Sequence, residues 1–197
     1  MTDATEPPYA DEAALWSRLA ALLPFPEDVA EVRDCWDIGE QEAGLTVLVR
    51  RIRELGLPLG GVERAEIAVM ARQWGVWDRL GADIVKCPGD PGQPTLLRVL
   101  DAEDVIPGRS VVPDHPSSEL LLVPWITCTG CGRVPARGHE REWWGDLSYL
   151  PRLYAVFAPD RSVAPQVFDH EERDAAWRAL TALRAGCVRS GPNGVSA

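Results

Sequence analysis

The sequence predicts an α+β fold: an N-terminal helical unit packed against a small β-sheet, with a C-terminal helix closing the chain. Three observations carry that expectation. Over residues 10–86, apolar positions recur at threes and fours. Residues 87–94 (CPGDPGQP) then sustain neither a regular helix nor a central strand. Residues 95–186 alternate short apolar runs with Pro- and Gly-rich loops before helical spacing returns. Residues 87–94 read as a linker or a long loop, either between domains or between layers of one domain. Residues 1–9 read as a disordered lead and residues 187–197 as a flexible tail.

In chain order, Asp11 caps a short helix through Leu23, with Ala14, Leu15 and Leu19 facing inwards; Pro24 and Pro26 end it. Glu27–Arg33 adds a turn or two. The clearest helix runs from Asp37 to Leu55. Asp37 and Glu40 stand at capping-box spacing, and Ile38, Leu45, Leu48, Val49, Ile52 and Leu55 form one stripe before Gly56 and Pro58. Acidic residues gather at its start and Arg50, Arg51 and Arg53 at its end, as the helix dipole favours. Val62–Leu80 reads as one further helix, burying Ile67, Met70, Ala71, Trp74 and Trp77. Thr95–Leu100, Glu119–Thr127 and Leu153–Ala158 read as strands. Asp169 and Glu172 repeat the capping spacing ahead of a last helix carrying Ala176, Leu180 and Leu183, which ends near Gly186.

Composition narrows the function classes. The 197 residues are 46% hydrophobic and 25% charged, ordinary for a soluble globular protein. No apolar run approaches the length of a membrane span, and the acidic start lacks a signal peptide's basic and apolar regions, so a cytoplasmic location is expected. Thirty acidic residues against twenty basic ones leave a net charge of −10. Such a chain is a poor non-specific nucleic-acid binder, whereas its acidic surface suits a basic protein partner. Five cysteines, at 35, 87, 128, 131 and 187, are an odd number in a chain with no export signal. Reduced thiols or metal ligands are therefore expected before a disulfide framework.

The sharpest chemical motif is Cys128-Thr-Gly-Cys131-Gly. A Cys-x-x-Cys turn containing glycine aims two thiolates at one tetrahedral ion, and a closed zinc site needs two more ligands. Cys87, in the irregular Pro-Gly loop, and His139 complete the expected set: Cys87, Cys128, Cys131 and His139 around one structural zinc ion. Two readings compete with it. The cysteines can be reduced structural residues, or Cys128 and Cys131 a redox pair. Redox chemistry wants the first cysteine at a helix N-terminus, and Gly132, Pro135 and Gly138 argue against a helix there.

Residues 138–146 (GHEREWWGD) form the other unusual stretch. His139, Glu140, Glu142 and Asp146 offer acid–base or metal-binding groups, but no second histidine completes a His-Glu-x-x-His motif. Trp143, Trp144, Tyr149 and Tyr154 line a pocket, present a binding face or cover a small core. Nucleophile-elbow, phosphate-loop and dinucleotide motifs are missing from the sequence. His115 and His170 read as surface or capping neighbours. An enzyme is the less favoured class.

Residues 34–80 add a family resemblance. Trp36-Asp37-Ile38-Gly39-Glu40, the stripe from Leu45 to Leu55, the turn at Leu57-Pro58-Leu59 and the helix through Trp74 resemble a small, mostly helical immunity-protein pattern from bacterial polymorphic toxin and contact-dependent inhibition systems. The resemblance implies a cytosolic, non-enzymatic protein that blocks a cognate toxin by direct contact. It implies toxin-contact roles for Asp37, Glu40 and Glu42, with Ile38, Leu45 and Leu48 as packing. It covers about a quarter of the chain, and residues 87–197 have no counterpart in it. The expected function is thus a binding or inhibitor protein. The alternatives are a structural or regulatory zinc protein, or a small metal-dependent enzyme using the His139–Asp146 region.

Overall fold

A computed structural model of the chain describes residues 8–92, 96–101, 105–112, 114–117, 119–160, 164–172 and 174–188. The architecture is α+β, with N-terminal helices packed against a sheet and a C-terminal helix beside them. Glycines divide the helical half. Helices α2 (Pro26–Asp37), α3 (Gln41–Glu54) and α4 (Gly61–Gln73) each run into a glycine of positive φ: Gly39 at 83°, Gly56 at 62° and Gly75 at 67°. After α2, the Glu40 N–H donates to the Cys35 carbonyl (2.7 Å) and the Gly39 N–H to that of Trp36 (3.1 Å), the paired closure of a Schellman motif. The same pairing recurs around Gly56 and Gly75.

These closures correct the helix boundaries. Asp37 is the last residue of α2, and Glu40 precedes α3 without a side-chain capping bond. The expected capping box fails because Gly39 turns the chain between its two members. Leu45, Leu48, Val49 and Ile52 are buried as expected, whereas Ile38 and Leu55, belonging to the turns, are exposed. Val62–Leu80 becomes two helices, α4 and α5 (Trp77–Lys86), because Gly75 supplies a left-handed stop that apolar periodicity does not register. Helix α1 spans Pro8–Ala20, so the described end of the expected disordered lead is helical; residues 1–7 lie outside the described residues.

The strand pattern changes at Trp125. The expected strand Glu119–Thr127 splits into β3 (Leu120–Pro124) and β4 (Ile126–Cys128). Strand β4 pairs with β1 (Leu97–Val99), while β3 enters a five-stranded antiparallel sheet. Its order is β2 (Ile106–Pro107), β3, β5 (Val134–Glu140), β6 (Leu153–Phe157), β7 (Gln166–Asp169). Thr95, the expected start of the first strand, lies outside the described residues. Central strand β5 carries no strand signal in its sequence because it contains Pro135 and Gly138. The Pro135 carbonyl accepts from the Trp125 N–H (3.1 Å), so the ring nitrogen faces the break between β3 and β4, where a ladder donor is not required.

The alternation of β5 separates two cores. Ala136 joins Leu120, Leu122, Leu153, Ala155 and Phe157 on one face of the sheet. On the other face, Trp125, Tyr154 and Val156 belong to a cluster shared with all six helices, running from Trp16 to Leu183. The two halves therefore share one core, and the described part of 87–94 is a loop over it. Leu59 donates its N–H to the Pro88 carbonyl (2.9 Å) and accepts from Asp90 (3.1 Å). The Arg64 guanidinium caps the end of α5 through the carbonyls of Ile84, Val85 and Cys87 at 2.7–3.0 Å. Helix α6 (Ala175–Val188) begins after Asp174, at φ 60°, rather than at Asp169, and continues past Gly186. Cys187 thus lies in its last turn, not in a tail; residues 189–197 lie outside the described residues.

Candidate metal centre

Strand β4 delivers Cys128 to the head of a tight turn. The Gly132 N–H donates to the Cys128 carbonyl (2.8 Å), and the Cys128 N–H to that of Arg133 (2.9 Å). Gly132, at φ 68°, lets the chain reverse into β5. Cys131 sits on this turn, and the last turn of α6 lies against it. A Cβ added at Gly130 would stand 3.5 Å from the Cys187 Sγ. Cys128, Cys131 and Cys187 thereby bring three sulfur atoms within 4.8 Å of one another, a group capable of holding a metal ion.

The spacing and chemistry fit a thiophilic metal. Thiolates on a tetrahedral zinc, with Zn–S of about 2.3 Å, stand about 3.8 Å apart. Here Cys128 and Cys187 are 3.2 Å apart, in hydrogen-bond contact. Burial raises the Cys128 thiol, but the Cys131 N–H, the Cys187 thiol and the Gly130 N–H outweigh it and hold it below the ordinary range. Cys187 is pushed up to about 11 by its hydrogen bond with Cys128 and then by burial. Three soft donors leave a fourth tetrahedral position for water or another ligand.

Two members of the expected ligand set are elsewhere. Cys87 caps the C-terminus of α5, buried, with its Sγ–H donating to the Asp83 carbonyl (3.3 Å). Being part of a helix end, it is not free to reach across the fold. His139 lies on β5 with its Nδ1 2.7 Å from the Ser148 carbonyl, so Nδ1–H is the donor and Nε2 is left facing Arg72 at 3.5 Å. Neither joins the thiol group. The missing ligand, Cys187, had a legible signal: it extends the spacing of Leu180 and Leu183 by four.

No family model, curated protein or solved structure matches the chain. What the sites can do follows from their own geometry. Asp37, Glu40 and Glu42 lie exposed around the α2–α3 turn, with Glu31 and Asp34 beside them. Ile38 projects from that turn at 73% exposure, so it is not the packing residue expected. Among the described residues, none of these five carboxylates forms an ion pair.

Residues 141–147 extend the hairpin between β5 and β6. An Arg141–Leu147 bridge closes it, and Gly145, at φ 103°, helps turn it. Trp143 (90% exposed) and Trp144 pack edge to face at its tip, their centroids 5.3 Å apart. Tyr149 is exposed too, its hydroxyl donating to the Gly75 carbonyl (2.9 Å), whereas Tyr154 is buried against Trp125. His115 accepts from the Ser117 N–H (3.2 Å), and His170 lies 3.0 Å from the Arg152 carbonyl, so both are held by local backbone.

Proposed function

We propose that the chain is a non-enzymatic binding protein whose second half is stapled by one structural zinc ion held by Cys128, Cys131 and Cys187 and by a fourth ligand from outside the thiol group. The observation that carries this reading is the convergence of three thiols from β4, its following turn and α6. A metal there ties the last helix to the sheet, adding to the apolar packing, the Cys128–Cys187 hydrogen bond and the Arg178–Phe168 contact between them. The free thiols suit a reducing compartment, for which the cytoplasm is the simplest choice. No described helix is long and apolar enough to cross a membrane. The non-enzymatic reading is supported by His139, whose Nδ1 is committed to a backbone carbonyl and whose basicity burial pulls down to about 4. Metal analysis of the purified chain tests the centre. One zinc per chain is expected, lost in Cys131→Ser and Cys187→Ser and kept in Cys87→Ser. A full zinc complement in Cys187→Ser would refute it.

The binding surface we assign is the α2–α3 turn. Its support is an exposed apolar residue, Ile38, ringed by Asp34, Asp37, Glu40 and Glu42, the pattern of an anchor within a charged rim. The partner it suits is a basic protein, and the immunity-protein resemblance of residues 34–80 makes that partner a toxin domain. Titration against candidate basic toxin domains at moderate salt tests this. Glu40→Lys with Glu42→Lys is expected to weaken binding tenfold or more. Equal binding by that double variant would move the interface elsewhere.

A further inference from the structure

The helix-facing side of β5 carries cationic and imidazole groups where apolar core would be expected. Arg137 is 5% exposed and His139 4%. In the sheet register Arg137 lies between Val123 and Tyr154. The Trp77 ring, from α5, lies 5.2 Å from its guanidinium carbon. A second guanidinium, that of Arg72 (6% exposed), enters from α4. Arg72 donates to the Tyr149 carbonyl (3.0 Å), and its nearest carboxylate, Asp78, stands off at 3.7 Å. Arg137 has less: among the described residues its guanidinium donates no hydrogen bond and forms no ion pair, and its Nε is buried without a partner. Burial, with Arg72 alongside, outweighs the pull of Asp78 and draws it down to about 9, so it remains charged at neutral pH. A buried cation without a directly bonded counter-charge is costly, and such groups concentrate where a ligand supplies one.

The space before Arg137 is a pocket of about 450 Å³. Buried Arg137 and His139 line it together with Trp77, Asp78 and Trp144, and half-buried Glu142 and exposed Asp146 complete the lining. We propose that this pocket binds a small zwitterion, its carboxylate against Arg137 and its cationic end against Glu142 and Asp146. The planar guanidinium matches a carboxylate in geometry and charge. A phosphate dianion fits less well, because Asp78, Glu142 and Asp146 would repel its second charge. This inference is independent of the thiol centre and of the acidic turn.

The probes are glycine, 4-aminobutyrate and 6-aminohexanoate, which vary the distance between the two charges, with acetate and methylammonium as single-ended controls. Thermal melting of the full chain is expected to rise with the logarithm of ligand concentration, by about 5 °C at about a hundred times the dissociation constant, with at least one zwitterion, and by far less with either control. Arg137→Met is expected to melt at or above the wild-type temperature, because an unpaired buried charge is replaced by apolar volume, and to lose the ligand-dependent rise. Glu142→Gln with Asp146→Asn changes only groups on the solvent side, and is expected to weaken the best zwitterion at least tenfold. The inference is overturned if no member of the series shifts melting, or if the shift survives either the Arg137 or the double substitution.

Discussion

The thiol centre and the arginine pocket both lie where helices meet sheet strands, yet they meet the problem of buried polarity in opposite ways. Cys187 can keep its proton: held up near 11, it is neutral at physiological pH and makes a hydrogen bond to Cys128. Arg137 has no such option, since its guanidinium stays charged even when burial draws it to about 9. The first site is satisfied by protons or by a metal, and so is compatible with a stable fold in either condition. The second is satisfied only by a counter-charge. The contrast separates a site whose ligand adds stability from one whose fixed charge is a standing cost until a ligand arrives.

Metal addition probes the first half of that contrast and carries the largest expected effect. Zinc at about a hundred times its dissociation constant should stabilise chelator-treated protein by about 3 kcal/mol, read from urea midpoints. Cys187→Ser should abolish most of the gain and Cys87→Ser none of it. Metal-dependent stability that vanished with Cys87 instead would break the assignment.

Protonation probes the second half. Burial, against the opposing hydrogen bond that His139 donates to the Ser148 carbonyl, lowers His139 to about 4 in the folded chain, while in the unfolded chain it titrates near 6.5. Between those values the unfolded state holds the extra proton, so stability is complete above about pH 6.5 and falls as the pH drops through about 4. The expected loss is about 2 kcal/mol, with the full protonation penalty discounted for relaxation around the ring. Urea unfolding in chelator at pH 7 and pH 4, compared with His139→Asn, isolates it. An identical pH dependence in the two proteins would mean that His139 is not held neutral.

The smallest effect on stability belongs to the acidic turn, where charge faces water. Glu40→Lys with Glu42→Lys should change unfolding stability by no more than about 0.5 kcal/mol. A larger loss would show that these carboxylates support the fold and would remove the separation between that surface and the two buried sites.

Much of this molecule is written in local pattern. The apolar stripe from Leu45 to Ile52 and the spacing of Ala176, Leu180 and Leu183 follow from residues a few positions apart, because each buries a single face, and β6 is legible as an unbroken apolar run because both its faces are buried. Cys128 and Cys131 are legible for the same reason: a four-residue turn joins them. Local pattern fails where one residue changes the rule. Gly39 and Gly75 stop helices whose apolar spacing runs on through them, and Pro135 hides a central strand whose missing donor faces the β3–β4 break.

Composition, the α+β class, the Cys-x-x-Cys turn and the acidic residues around Ile38 depend on neighbours in the chain, and a reader of the chain can find them there. The third thiol and the arginine pocket depend on partners far apart: Cys187 meets Cys128 across 59 positions, and Arg72 meets His139 across 67. Sequence spacing can put Cys187 on the buried face of its helix, but it does not say which strand that face meets. Such meetings are set by which helix settles on which strand, and that choice is made by the burial of the apolar core as a whole.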